Sequence, residues 1–180
     1  MPERLKNGPV AAGLSAVCVL VLIVAVARAE EPHNAFDFEA VGLEGRTFSG
    51  LSLRGRVVLL DFWATWCGPC VKAIPTLNQL RNEFKSRGFE VVGVASYSGT
   101  VEDVREFVAR LEPHYPIVVG DEDLVERFQV IGYPTYFLVN RGGKIVDTFV
   151  GEIESVREEV TAKIRQLTRS TPPLPERRTP

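Results

Sequence analysis

The sequence predicts an α/β domain: a central mixed sheet flanked by helices, its first strands parallel and its last two antiparallel. Three observations predict it. Val57–Trp63 and Glu90–Ala95 are short, largely apolar runs bounded by turn residues, the pattern of strands buried on both faces. Each is followed by a stretch of helical period, so strand and helix alternate. Thr135–Val139 and Lys144–Val150 flank Asn140-Arg141-Gly142-Gly143, a two-glycine turn that closes a hairpin.

The 180 residues are 45% hydrophobic and 24% charged, which suits one globular domain. The net charge of −2 gives no basic excess for nucleic acid, and the two histidines, His33 and His114, are too far apart in sequence to build a metal site. The first 29 residues stand apart as a signal peptide or membrane anchor. Arg4 and Lys6 precede a 17-residue apolar run, Val10–Val26, which ends in Ala27-Arg28-Ala29 before Glu30-Glu31-Pro32. That length fits either fate. The two alanines favour cleavage after Ala29; the alternative is a tether through residues 10–26. Both place the rest of the chain outside the cytoplasm, in the periplasm or its equivalent. Cys18 follows the branched Val17 inside the run, which argues against lipid attachment. Beyond residue 29 remain 18 basic and 22 acidic residues and a single cysteine pair, Cys67 and Cys70.

The elements follow in order. Ala35–Phe38 alternates weakly and is expected as a short edge strand, Arg46–Ser49 as another, with a turn at Arg54-Gly55. After the strand Val57–Trp63 the period changes. Val71, Ile74, Leu77, Leu80 and Phe84 share one helical face, and Gly88 stops that helix. The strand Glu90–Ala95 precedes a second helix marked by Val101, Val104, Val108 and Leu111 and ended by Pro113. Ile117–Val119 is a strand, and Asp121–Phe128 a short helix whose acidic start suits the helix dipole. The hairpin and an amphipathic helix, Glu152–Leu167, complete the domain, expected over residues 36–168. Residues 170–180 hold four prolines and are expected to be disordered.

Cys67-Gly68-Pro69-Cys70 follows a buried strand and opens a helix. Pro69 fits the first turn, where a missing N–H costs nothing. Unpaired backbone N–H groups and the dipole there favour an anion, so Cys67 is the acidic, attacking sulfur. Cys70, one turn inside, is the buried resolving sulfur. Asp61, six residues before Cys67 on a buried strand, is a candidate proton acceptor for Cys70, since burial raises a carboxyl pKa. Other uses of the pair are a structural disulfide, a copper site and a zinc site. The loop is too short for a disulfide there to add much stability. One Met and two His disfavour copper binding, and zinc lacks a second ligand pair.

Asp61-Phe62-Trp63-Ala64-Thr65-Trp66-Cys67-Gly68-Pro69-Cys70 resembles the active-site segment of thioredoxins. Pro75 matches the proline of their active-site helix, Gly132-Tyr133-Pro134-Thr135 their cis-proline loop, and Gly151 a glycine beside it. The leader, the Phe36–Leu53 extension and the inserted Val101–Leu111 helix are closer to the TlpA/ResA-type branch, which implies a thioredoxin fold with an N-terminal β extension and an inserted helix. The resemblance implies an exported thiol-disulfide oxidoreductase. Cys67, Cys70 and Asp61 would be catalytic, Trp66, Tyr133, Pro134 and Gly151 would bind substrate, and Gly68 and Pro69 would tune the redox potential. Trp63 is expected in the core. Pro134, if cis, would shield the sulfurs from metals and leave the Tyr133 backbone free to pair with an extended substrate.

Two departures weaken the cytochrome c maturation role associated with that branch. Ala73 stands where a glutamate is common, and Asp61 where asparagine is common. Gly93 stands where thioredoxins place a lysine near the aspartate. Reduction of protein disulfides, with electrons from a membrane thiol donor and no cofactor or metal, is the leading reading, for a monomeric protein. A disulfide oxidant or isomerase and a copper chaperone or metal-centre assembly factor are the alternatives. Ala64 and Leu60 stand where a peroxidase of the peroxiredoxin kind would carry threonine and proline.

Overall fold

A computed structural model describes residues 34–169. The expected signal peptide or anchor, its tether run 10–26 and the tail 170–180 lie outside the described residues. Seven strands and four α-helices follow in the order β1 (Glu39–Gly42), β2 (Thr47–Ser49), β3 (Val57–Trp63), α1 (Gly68–Phe84), β4 (Phe89–Ala95), α2 (Val101–Val108), β5 (Ile117–Val119), α3 (Glu122–Arg127), β6 (Thr135–Val139), β7 (Ile145–Val150) and α4 (Ile153–Arg169). The strands form one sheet, β2-β1-β5-β4-β3-β6-β7. β3, β4 and β5 are parallel, while β6 and β7 run antiparallel. The N-terminal pair β1–β2 adds antiparallel to β5 at one side.

The apolar run of β3 reflects burial on both faces. Val57, Leu59 and Trp63 join Leu77, Leu80 and Phe84 of α1 and Val160 and Ile164 of α4 in one core. Val58, Leu60 and Phe62, pointing the other way, join Phe36, Phe38, Leu124 and Phe128 in a second. Alternation places Asp61 on the first face, between Leu59 and Trp63, in the layer that also holds Cys70 and Ala73. Truncating the fully buried Leu77 to alanine would cost about 2–5 kcal/mol.

Helix α1 begins at its cap residue Cys67, carries a proline in its first turn and runs through Pro75 to Phe84. A short 3-10 turn, Lys85–Arg87, then leads to Gly88 at φ 79°, a left-handed conformation that glycine adopts freely. Val71 is only half-buried; Cys70 and Ala73 complete the buried face instead.

Two sequence expectations are corrected. Ala35–Phe38 is not a strand. The Asn34 side-chain oxygen accepts from the Phe36 N–H at 2.9 Å and the Asn34 carbonyl from the Asp37 N–H at 2.9 Å, which forms a turn. Ala35, Phe36 and Phe38 are all buried, so the weak alternation was core packing, and the strand begins at Glu39. Helix α2 ends at Val108, short of Leu111. The N–H groups of Leu111 and Glu112 both turn back to the Val108 carbonyl, and Glu112 sits at φ 48°. Only Val104 and Val108 of the four marker residues are buried, so packing sustains about two turns and Pro113 lies beyond the end.

Candidate active site

The carboxyl ends of β3 and β4, the loop before β6 and the end of β7 meet at one end of the sheet, the usual place for a site in α/β proteins. There Cys67 and Cys70 form a disulfide with Cα atoms 5.3 Å apart. Cys67 is the N-cap of α1: its Sγ accepts from the Cys70 N–H at 3.3 Å, and its own N–H donates to the Ala64 carbonyl at 3.0 Å. The N-terminal amides and dipole of a 17-residue helix therefore face the first sulfur. The sulfurs are unequal, with Cys67 6% and Cys70 1% exposed. A Cβ built on Gly68, between the cysteines, would meet nothing within 4 Å beyond its chain neighbours, so the space at that position is open.

On the face of β3 that packs toward the pair lies Asp61, 2% exposed, with its Oδ1 unpaired among the described residues. Burial alone pushes its carboxyl up to about 8. Its register partner on β4 is Gly93, where a Cβ would stand 2.5 Å from Ile117 Cδ1 and 3.1 Å from Trp63 Nε1. With glycine there, that register position on β4 places no cation beside the carboxylate. Its partner on β6 is Tyr136, whose phenol is itself raised by burial first and by the Asp61 charge second.

Trp66 is 65% exposed beside the disulfide. Its ring stands edge-on to Tyr133 at 5.7 Å, and its Nε1 donates to the Tyr97 carbonyl at 3.0 Å. Trp63 is buried in the core. The Tyr133–Pro134 peptide bond is cis. Gly151, at φ 97°, donates its N–H to the Pro134 carbonyl at 2.9 Å and holds that loop against the end of β7. All the residues singled out from the sequence thus gather at one end of the domain.

The Ser96-Tyr97-Ser98 loop went unread in the sequence. Ser98 Oγ accepts from the Thr65 N–H at 3.0 Å and donates to the Ser96 carbonyl at 2.9 Å, which ties the segment before Cys67 to the end of β4. The signal available was its position: a polar run directly after a buried parallel strand.

The Redoxin family profile matches residues 28–164. The chain belongs to the Redoxin family. It is 34% identical over 119 residues to a thiol-disulfide oxidoreductase ResA of Geobacillus thermodenitrificans, covering 66% of this chain and 68% of the relative. Identity to a ResA of Bacillus cereus is 29% over 136 residues, covering 75% and 77%. A solved Chlorobium tepidum structure described as a thiol:disulfide interchange protein DsbE superposes with TM-score 0.71 at 31% identity, covering 77% of this chain and 98% of that one. The fold is thioredoxin-like, the chain is of the TlpA/ResA type, and the enzyme is a thiol-disulfide oxidoreductase. In this oxidoreductase Ala73 is buried in α1 against the core, so position 73 brings no carboxylate to the helix face behind the cysteines; Asp61 comes from β3.

Proposed function

We propose that this enzyme is exported and reduces disulfides of other proteins. The Cys67 thiolate attacks one sulfur of the substrate disulfide, forming a mixed disulfide and expelling the other substrate sulfur as a thiolate. Cys70 gives its proton to the Asp61 carboxylate and attacks Cys67 Sγ. This forms the Cys67–Cys70 bond and releases the second substrate thiolate. The substrate gains two electrons and the enzyme loses two; a membrane thiol donor of the dithiol class returns them. Trp66, Tyr133, Pro134 and Gly151 form the surface on which the substrate strand lies, and Gly68 and Pro69 set the potential.

The single observation that carries this reading is the burial of an unpaired Asp61 on the sheet face whose core also holds the Cys67–Cys70 pair. Its carboxyl is pushed up to about 8, so near neutral pH the ionised minority takes the Cys70 proton, and that fraction grows as the pH approaches 8. Among the described residues no helix is long and apolar enough to cross a membrane. Export in this reading rests on residues 1–29, as a cleaved signal or an anchor.

Cys67→Ser should abolish exchange, and Cys70→Ser should accumulate mixed disulfides with partner proteins in an exported-fraction extract. A Cys70→Ser trap that captures no protein overturns the reading. Equilibration with glutathione sets the direction. A potential close to about −270 mV supports a reductase, and one near about −120 mV would make the protein an oxidant.

A further inference from the structure

The surface beside the disulfide is apolar on top and acidic along one edge. Trp66 and Tyr97, joined through the Trp66 indole and the Tyr97 carbonyl, are exposed by 65% and 55%, two large aromatic side chains side by side in solvent. Tyr97 follows β4 and lies next to Trp66, whose indole donates to its carbonyl. Its phenol donates to Glu122 Oε1 of α3 at 3.5 Å. Partial desolvation first, and then the charges of Glu122 and Glu126, raise that phenol above its ordinary range, so both carboxylates lie within electrostatic reach of the ring. Among the described residues neither glutamate has an ion-pair partner; the one described ion pair of α3, Arg127 with Asp37, uses neither of them.

An exposed aromatic ring bordered by two uncompensated carboxylates complements one kind of side chain, a long cation with an apolar stem. Resting on the proposed exchange with protein disulfides, we infer that Tyr97, Glu122 and Glu126 form a specificity subsite. It takes a Lys or Arg side chain of an extended substrate segment, close to the substrate's disulfide-bonded cysteine. Trp66 adjoins Cys67 in sequence and its indole donates to the Tyr97 carbonyl, so the subsite borders the attacking sulfur and would meet a residue near the substrate cysteine. The stem would lie across Tyr97 and Trp66, with the charge toward Glu122 and Glu126.

The test uses the reduced full-length protein and three disulfide-linked model peptides. They differ only in carrying Arg, Gln or Glu two residues from the cysteine, and stopped-flow gives the second-order exchange rate for each. At low ionic strength the Arg peptide should react about three- to tenfold faster than the Glu peptide, with Gln between. The ratio should shrink as salt rises above about 0.3 M. In Glu122→Gln/Glu126→Gln the Arg-to-Glu ratio should fall below about twofold. It should persist in Glu44→Gln, a remote surface control. Equal rates for the three peptides, or a ratio unchanged in the double variant, overturn the subsite while leaving the exchange reading intact. Failure to react with any peptide overturns both.

Discussion

Two buried carboxylates on neighbouring strands, Asp61 of β3 and Glu90 of β4, meet opposite treatment. Glu90 lies near the start of β4, where β5 does not reach, since β5 pairs only with Gly93–Ala95. Arg81 Nε donates to Glu90 Oε1 at 2.5 Å, Arg81 and Arg56 bracket Oε2 at 3.2 and 3.4 Å, and the Val91 N–H donates to Oε1 at 3.0 Å. Asp61, at the other end of the sheet, has no ion-pair partner among the described residues and an unpaired oxygen. Burial of a charge is costly unless it is paired, and an unpaired carboxyl keeps its proton instead. Glu90 ties α1 to the sheet through Arg81. Asp61, pushed up to about 8, can take up and give back a proton near the working pH.

The contrast breaks first at Glu90. Arg81→Met leaves that carboxylate with the Val91 N–H and the more distant Arg56, and should cost about 3 kcal/mol in urea unfolding near neutral pH. Exchange per folded molecule should be unchanged. A loss of activity at constant stability would tie Glu90 to the chemistry.

Asp61→Asn should act in the opposite sense. Asp61 keeps its proton in the fold up to about 8 but loses it near ~3.9 when unfolded. Between those values the unfolded state releases a proton, so stability falls as pH rises and the penalty is complete above the folded value. The asparagine variant should gain about 5 kcal/mol at about pH 8.5 and nothing at about pH 3.5. A gain independent of pH would attribute the effect to packing.

The same substitution should slow the attack of Cys70 on the mixed disulfide about tenfold near neutral pH, followed by rapid quench from a preformed adduct. Unchanged kinetics would remove Asp61 as acceptor. Ser98→Ala, which frees the Thr65 N–H, should produce the smallest effect. A stability loss of about 1 kcal/mol and a modest drop in exchange rate are expected.

Much of this was legible because the core of the domain is written redundantly. β3 and β4 are apolar throughout, α1 has both a cap and a period, and the hairpin has its glycines. The candidate site was legible where chemistry fixes residue type, at Cys67, Cys70 and Asp61, and where a motif carried it, at Pro134 and Gly151. The edges were not. At Ala35–Phe38, buried aromatics in a turn mimic alternation, and at Leu111 apolar periodicity outlasts the helix that packing supports. The Ser98 tether and the Tyr97–Glu122 pairing join loops 25 or more residues apart through single polar atoms, and no local pattern announces such a contact.

The account rests most on Asp61 titrating far above an ordinary aspartate, near the pH at which it would take the Cys70 proton. A carbon-13 carboxyl NMR titration of the oxidised protein tests that directly, with Asp61→Asn assigning the resonance. The account predicts a midpoint near 8 for Asp61, about four units above an ordinary aspartate. A midpoint near ~4 would contradict it.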